Sequence, residues 1–454
     1  MNLSSDKASH ATQIVQELRA ARHSAYLAGG CVRDLILGRE PADYDVATSA
    51  TPQEVMRIFP LTYAVGVQFG VVLIPIRRED ADGQRDNYAI EVATFRSDGL
   101  YSDGRHPDQV QFSQDARTDV RRRDFTINGL LLDPVSKEVF DYVGGRKDLE
   151  LGIIRTIGHP RERFAEDKLR MLRAVRFAAR FGYAIETATL AEIKQLATHI
   201  HQVSRERIRD EILKMLTEGR ARRAFELLDE SGLLQQVLPE IKRMQGVQQP
   251  PQFHPEGDVW VHTLMLLEGL QPNCSKSLAL GVLLHDVGKP PTFRVAPDRI
   301  RFDQHAEVGT KMAEDICRRF RLSNEETEQV CGLVANHMRF GDVQRMKPST
   351  LKRFLRLPKF DEHLELHRLD CLGSHRDLEL YDFARQQLSA MPEEQIRPRP
   401  LITGDDLIAA GYKPGPQFKE LLTAVEDAQL DGSINTREEA LELVRKIVGN
   451  LVSE

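Results

Sequence analysis

The segment Leu27-Ala-Gly-Gly-Cys-Val-Arg33, followed by Asp43-Tyr-Asp45, limits what the N-terminal part of this chain can fold into more than any other stretch. The apolar run Ala25 to Ala28 reads as a strand closed by Gly29 and Gly30, which open a helix that carries Arg33 and ends near Gly38. Glycines let backbone amides approach a phosphate, a helix start favours negative charge, and an arginine adds a forked donor. Gly30 and Arg33 are therefore candidate nucleotide contacts. Alternate side chains of a strand share a face, so Asp43 and Asp45 are expected to project together, with Tyr44 opposed. Two carboxylates at short separation suit a hard cation that keeps some of its water and takes further ligands from substrate phosphates. Asp43 and Asp45 are thus the expected catalytic acids and Mg2+ their expected ion. Either piece alone is common, since an Asp-x-Asp is usually solvated and a Gly-Gly is usually a turn. The ordered combination points to a triphosphate beside a catalytic metal.

A chain of 454 residues exceeds one compact core and suggests three or four domains. No apolar run approaches the roughly 20 residues of a membrane helix, the longest being Leu278 to Leu284. Met1 to Arg22 is polar and amphipathic, so a cytoplasmic protein with no membrane partner is expected. Five cysteines without a CxxC pair read as buried, reduced thiols. Net charge is −6, yet residues 155 to 223 hold 16 Lys or Arg against 9 Asp or Glu. Such a basic segment can track a phosphate backbone; a solvated helical surface explains it equally well.

Along the chain, Ile14, Val15 and Leu18 mark a first helix, and Thr51 is a plausible N-cap with Pro52 in the first turn. Residues 65–74 and 88–95 are rich in β-branched residues and read as strands of one sheet. Glu91 between Ile90 and Val92 is either an edge charge or a third carboxylate facing the aspartate pair. Two Asp-Gly steps and a Pro mark a flexible loop at about 96–112. Arg121-Arg-Arg-Asp-Phe-Thr-Ile-Asn128 places three arginines at the mouth of an apolar element. In Glu166-Asp-Lys-Leu-Arg-Met-Leu-Arg-Ala-Val-Arg176, arginines recur every three residues on a helix with Asp167 one turn upstream of Arg170. That spacing permits an intrahelical Asp–Arg pair of a few tenths of a kcal/mol. It also permits the two side chains to read a base: the carboxylate accepts from an exocyclic amine while the guanidinium donates to the adjacent ring nitrogen. C and A share that edge; U and G present the reverse.

Together, the Gly-Gly, Asp-x-Asp, Arg-Arg-Asp-Phe-Thr-x-Asn and Glu-Asp-x-x-Arg segments resemble the nucleotidyltransferase superfamily that includes DNA polymerase beta. More narrowly, they resemble the bacterial class II CCA-adding tRNA nucleotidyltransferase and poly(A) polymerase family. The resemblance implies an α+β multidomain fold: a polymerase-beta-like head at 1–150 with a mixed sheet and helices, then an all-α neck and body at 151–247. It further implies nucleotide contacts at Arg123, Asp124 and Asn128, a template of Glu166, Asp167 and Arg170, and further contacts at Arg173 and Arg176. Glu91 is implied as an additional metal ligand, and the flexible loop as a device for switching the pocket from CTP to ATP. The partners implied are CTP, ATP and the tRNA acceptor stem and 3′ end, gripped by the basic helices of 182–245. Val65-Gly-Val-Gln-Phe-Gly-Val-Val72 is similar to the tRNA enzymes rather than to poly(A) polymerases, although a poly(A) polymerase and an enzyme adding only A, or only the two Cs, share the same head.

After Gln248-Gln-Pro-Pro-Gln252, which reads as a linker, eight of the 14 histidines fall between His254 and His375. His262, His285-Asp286 and Asp370, with His305 and His337 nearby in sequence order, resemble an HD phosphohydrolase domain at 253–375. There a divalent or transition metal activates water. The alternative to transfer chemistry is therefore a metal phosphohydrolase acting on nucleotides or RNA 3′ ends. Residues 376–454 resemble the family's helical tail.

Overall fold

The computed structural model describes residues 3–65, 67–79, 85–99, 109–250, 257–297 and 299–452. They form two compact units, Met1–Pro239 and Glu240–Glu454.

The first unit is built on a mixed six-stranded sheet in the order Val71–Glu79, Arg85–Thr94, Asp45–Thr48, Ala25–Ala28, Leu130–Leu132, Val139–Asp141. Helix α1 (Asp6–Ala20), capped by Ser5, buries Ala11, Ile14, Val15 and Leu18. The chain then enters β1 (Ala25–Ala28) and turns through Gly29 into α2 (Gly30–Ile36). Strand β2 (Asp45–Thr48) leads to α3 (Pro52–Ile58), whose start is a capping box between Thr51 and Glu54. Strands β3 (Val71–Glu79) and β4 (Arg85–Thr94) form the long hairpin of the sheet. The strand expected over 65–74 begins only at Val71: Val67–Phe69 is a 3-10 turn, and Gly70 adopts φ +83. A side chain at Gly70 would lie 2.9 Å from the ring of Phe112, so the turn relies on glycine. Gly66 lies outside the described residues.

The ends of the loop expected at about 96–112 are an antiparallel ribbon, β5 (Arg96–Asp98) on β6 (Val110–Phe112). Residues 100–108 of that expected loop lie outside the described residues. Helix α4 (Ala116–Arg121) precedes β7 (Leu130–Leu132) and β8 (Val139–Asp141), which complete the sheet against β1. The rest of the unit is helical apart from a short parallel pairing of Ile153–Ile154 with Ala184–Ile185. The expected single helix through Glu166 to Arg176 is broken: α5 (Pro160–Glu166) ends at Asp167, which is extended, and α6 (Leu169–Phe181) starts afresh. The Asp167 carboxylate accepts from the Leu169 amide (3.0 Å), which is N-terminal capping chemistry that competes with helix continuation. Helix α6 buries an almost continuous apolar surface and packs against α7 (Arg205–Thr217).

The second unit is a helical assembly. Helices α8 (Val259–Gly269) and α9 (Lys276–Leu284) are apolar on most sides and buried. Around them lie α10 (His305–Arg319), α11 (Asn324–Asn336) and α12 (Phe360–Gly373). Gln249, at the start of the expected linker, is instead buried and accepts from Lys289 Nζ (2.6 Å); Pro251 and Gln252 lie outside the described residues. The tail has its own core of Ile402, Leu407, Leu421, Val425 and Val444. All five cysteines are free; Cys31, Cys317 and Cys371 are buried as expected, while Cys274 and Cys331 are only half-buried. Among the described residues no helix is long and apolar enough to cross a membrane.

Candidate active site

In the sheet of the first unit, the parallel register of β2 and β4 sets Asp45 directly beside Glu91. Asp43 sits two residues before, outside the strand and exposed, 3.9 Å from Lys7 Nζ; Tyr44 between them is buried. The strand expected to carry both aspartates thus begins only at Asp45, with Asp43 in the segment that leads into it. Burial pushes the Asp45 carboxyl up to about 6, helped by the charges of Glu91 and Asp43 and opposed by Arg123. Glu91 is likewise raised, chiefly by burial. Crowded acids with raised proton affinity are what a divalent cation relieves, so these residues fit such an ion.

Arg123 is held against this acid group from several sides. Its guanidinium donates to Asp119 Oδ2 (3.3 Å from Nε and 3.0 Å from Nη2) and approaches the Asn128 carbonyl (3.5 Å). Asp119 is buried; against that burial, Arg123 and Arg122 keep its carboxyl below the ordinary range. Gly29, at φ +73, is where this packing meets the helix start: a Cβ there would stand 2.8 Å from Arg123 Nη1. At Gly30 a Cβ would meet only Arg33 Nη2, at 3.6 Å. Arg33 itself is buried, donating to Asp34 Oδ1 (2.8 Å) and Asn128 Oδ1 (2.6 Å), with its guanidinium 4.5 Å from the centre of the Phe181 ring. It is fixed under the site rather than free to swing.

Asp124 accepts from the Phe125 amide (2.8 Å) and Asn128 Nδ2 (3.0 Å) through Oδ1, and from Arg173 Nε (2.9 Å) and Nη2 (2.7 Å) through Oδ2. Burial alone would raise its carboxyl, but Arg173 and the hydrogen bonds hold it at about 2. Arg176, expected as a nucleotide contact, is buried and tied to Glu211 Oε2 (2.7 Å) and Glu218 Oε2 (3.2 Å) on and just after α7.

Asp167 and Arg170 do not pair with each other. Asp167 accepts a fork from Arg207 of α7, 3.2 Å to Oδ1 and 2.7 Å to Oδ2. Arg170 pairs with Glu166 and donates to the carbonyls of Arg163 (3.0 Å) and Arg122 (3.2 Å). The intrahelical Asp–Arg pair considered from spacing is thus absent, because the helix breaks between them. Reasoning from sequence missed Asp119, Glu211 and Glu218, and placed Arg207 only among the basic residues of 182–245. The first was readable, standing three and four residues before Arg122 and Arg123 on one helix face. The others lie some 40 residues from their partners and carry no local signal.

In the second unit, His262, His285 and Asp370 bring one donor atom each within 4.8 Å of one another, and so do Asp286, His305 and His337. The expected HD residues are therefore together, with His305 and His337 added. Among the described residues, Asp43, Asp45 and Glu91 do not form so tight a group.

The fold and this site define a nucleotidyltransferase with a poly(A)-polymerase-type head. Residues 25–155 match the family model of the Poly A polymerase head domain, 182–245 that of an RNA- and SrmB-binding site of polymerase A, and 302–444 that of tRNA nucleotidyltransferase domain 2. The CCA-adding enzyme of Geobacillus stearothermophilus is 42% identical over 220 residues, a match spanning 48% of this chain and about half (52%) of that relative. The CCA-adding enzyme of Enterococcus faecalis is 31% identical over 432 residues, 95% of this chain and 94% of that one. A solved structure of the Bacillus stearothermophilus CCA-adding enzyme with CTP superposes with a TM-score of 0.72 at 26% identity, covering 99% of this chain and 100% of its own. The chain belongs to the CCA-adding enzyme family.

Proposed function

We propose that this protein adds C, C and A to the 3′ end of tRNA, taking CTP and ATP and releasing pyrophosphate without a nucleic-acid template. The observation that carries this reading is the placement of Asp45 beside Glu91, next to Arg123, in a chain alike over nearly its whole length to a CCA-adding enzyme. Asp43 and Asp45, with Glu91, would hold Mg2+, which supplies charge neutralisation for the attacking 3′-oxygen and the leaving pyrophosphate. Arg123, anchored by Asp119, orients the triphosphate, and Gly29 and Gly30 let it approach the backbone. Arg33 and Asn128 act from beneath by fixing the strand-to-helix turn. Asp124, positioned by Arg173, faces the sugar. Asp167 and Arg170 select the base, with Glu166 and Arg207 holding them. Arg176 braces α6 on α7, and the basic helices of 182–245 receive the acceptor stem through its shape and backbone.

A second reading concerns the other unit and is favoured by its two donor groups: an HD-type metal centre able to hydrolyse a phosphate ester. The test of the main reading uses three transcripts, a tRNA lacking CCA, a tRNA ending in CC and an unstructured RNA, each with Mg2+ and CTP, ATP or both. Addition of two Cs and one A, confined to tRNA and abolished in Asp45→Ala, is expected. Long A tails on any RNA would make it a poly(A) polymerase, and A added only to the CC-ended tRNA an A-adding enzyme. Incorporation that survives Asp45→Ala would overturn the proposed acid pair.

A further inference from the structure

The face of the sheet that carries the acids is covered at one end and open at the other. Over β1, β7 and β8 its side chains Ala28, Leu131 and Phe140 share a core with Ala116 and Val120 of α4. Over β4 and β3 it carries Ala89, which is exposed, and Leu73 and Pro75, which are half-buried. The intervening residues of the same strands, Ile90, Val92, Val72 and Ile74, point to the other face and are buried, as alternation requires.

Pairing continues the row that holds the acids. Asp45 lies beside Glu91, Glu91 beside Leu73, and Leu73 beside Tyr63 through two backbone hydrogen bonds (2.8 and 3.0 Å). Directly opposed residues share a face, so Tyr63 ends this row on the acid side, where it is 49% exposed. Leu61 and Val65, at alternate positions on either side of it, are exposed as well.

The two substrates divide along this row. Arg123 and the Gly29-Gly30 turn place the triphosphate on the β1 side of Asp45. In an in-line displacement the attacking 3′-oxygen and the leaving pyrophosphate stand on opposite sides of the phosphorus. The RNA 3′ end therefore arrives from the other side of the acids, over β4 and β3. Strands about 4.8 Å apart put Leu73 about 10 Å and Tyr63 about 14 Å from Asp45. Tyr63, Leu73, Pro75 and Ala89 offer a phosphate no cation, and Glu91 at their inner end repels one. What they suit is the flat face of a base.

Resting on the reading that this chain extends tRNA, we infer that Tyr63 and Leu73 seat the 3′-terminal base of the RNA. The ring of Tyr63 stacks on the base, Leu73 lies beneath it, and the ribose reaches over Glu91 with its 3′-hydroxyl toward Asp45. Stacking uses the π-face that every base has, so this seat reads no sequence. That suits an acceptor that ends in the tRNA's own last nucleotide at the first step and in C at the next two. The choice of base is thereby confined to the incoming nucleotide, at Asp167 and Arg170.

The test is steady-state kinetics of the full chain with CTP and Mg2+, on CCA-lacking tRNA transcripts that differ only in their last nucleotide, A, G, C or U. Half exposed, Tyr63 can be shortened without opening a core cavity. Tyr63→Ala should lower kcat/KM for all four transcripts by about tenfold while KM for CTP stays within about twofold of the parent, and Tyr63→Phe, which keeps the ring, should restore the parent value. An unchanged kcat/KM for tRNA would overturn the seat. Lost stability of Tyr63→Ala would then show the strip covered by the chain itself, and a smaller mass on gel filtration would show it covered by a second copy. A rise in KM for CTP as large as the loss on tRNA would give Tyr63 a structural role and overturn the seat too. A parent chain that strongly prefers one last nucleotide would overturn the absence of base reading. A parent chain that extends no tRNA would overturn the underlying reading and this one with it, an outcome distinct from a working parent indifferent to Tyr63→Ala.

Discussion

Replacing Arg173 by Met should destabilise the first unit by about 2–3 kcal/mol at neutral pH. The Asp124 carboxyl is held at about 2 against an ordinary 3.8. At about 1.4 kcal/mol per pH unit, that depression is worth about 2 kcal/mol. Because the folded-state value is the lower one, this stability is fully present above pH about 4 and is lost as pH falls toward 2, so neutral pH shows all of it. Removing Arg173 takes away the largest charge opposing burial and leaves the carboxylate with only the Phe125 amide and Asn128 Nδ2. The guanidinium also sits 5.2 Å from the Phe177 ring, a contact worth about 0.5 kcal/mol more. With a urea slope of about 2–3 kcal/mol/M, the midpoint should fall by about 1 M. The assay can separate the units, because the single Trp, Trp260, lies in α8 of the second one. Far-UV circular dichroism should show the earlier transition while Trp260 fluorescence keeps the parent midpoint. Asp124→Asn combined with Arg173→Met should recover part of the loss, since no lone buried charge remains. A shift below about 0.2 M, or a double variant weaker than the single variants sum to, would refute the reasoning.

Gly29→Ala should raise the KM for nucleotide and cost about 1 kcal/mol of stability, since it combines a positive φ with a close approach to Arg123; Gly30→Ala should do far less, and equal effects in steady-state kinetics would count against this account. Asp119→Asn should weaken triphosphate binding by about tenfold through a loosened Arg123, read as a change in KM with CTP and ATP alike. Arg207→Gln should narrow the ratio of kcat/KM for CTP over UTP by about tenfold with little change in overall stability; an unchanged ratio would mean that the Leu169 amide alone positions Asp167.

The strand, the Gly-Gly turn and the helix carrying Arg33 were legible because their signals are local: an apolar run, glycines at a turn, and a helix start. Glu91 was legible only as an alternative, because a strand acid's partner is set by the register of β2 on β4, which sequence spacing does not reveal. The strand at 65–74 was misplaced because β-branched residues outvoted Gly70, whose positive φ turns the chain. Arg173 and Arg176 were expected as nucleotide contacts from the family resemblance, and Arg207 belonged to the basic helices of 182–245 expected to hold the acceptor stem. Each is instead engaged by an acid far along the chain, Asp124, Glu211 or Asp167, and only the folded helices bring those together. In the second unit the histidine and aspartate types suggested a metal, while the gathering of His262, His285 and Asp370, and of Asp286, His305 and His337, needed coordinates.

The partners of Asp167 and Arg170 bear on how a pair already engaged can still select a base. A carboxylate offers about four lone-pair positions. Asp167 uses three, accepting from Leu169 N, Arg207 Nη1 and Arg207 Nη2, which leaves one on Oδ2. A guanidinium has about five N–H groups. Arg170 spends its contacts on Glu166 and two carbonyls through Nη1 and Nη2, leaving Nε and one further Nη2 hydrogen. What remains is a single acceptor on Asp167 and two spare N–H groups on Arg170, on side chains already tethered by their other contacts. A base presenting an amine beside a ring nitrogen satisfies both. One presenting a carbonyl beside a ring N–H sets acceptor against acceptor and donor against donor, and each buried mismatch costs about 1–3 kcal/mol. On the proposed reading, discrimination against U and G would arise from the groups that hold the pair still, with Arg207 and Glu166 contributing without meeting the nucleotide.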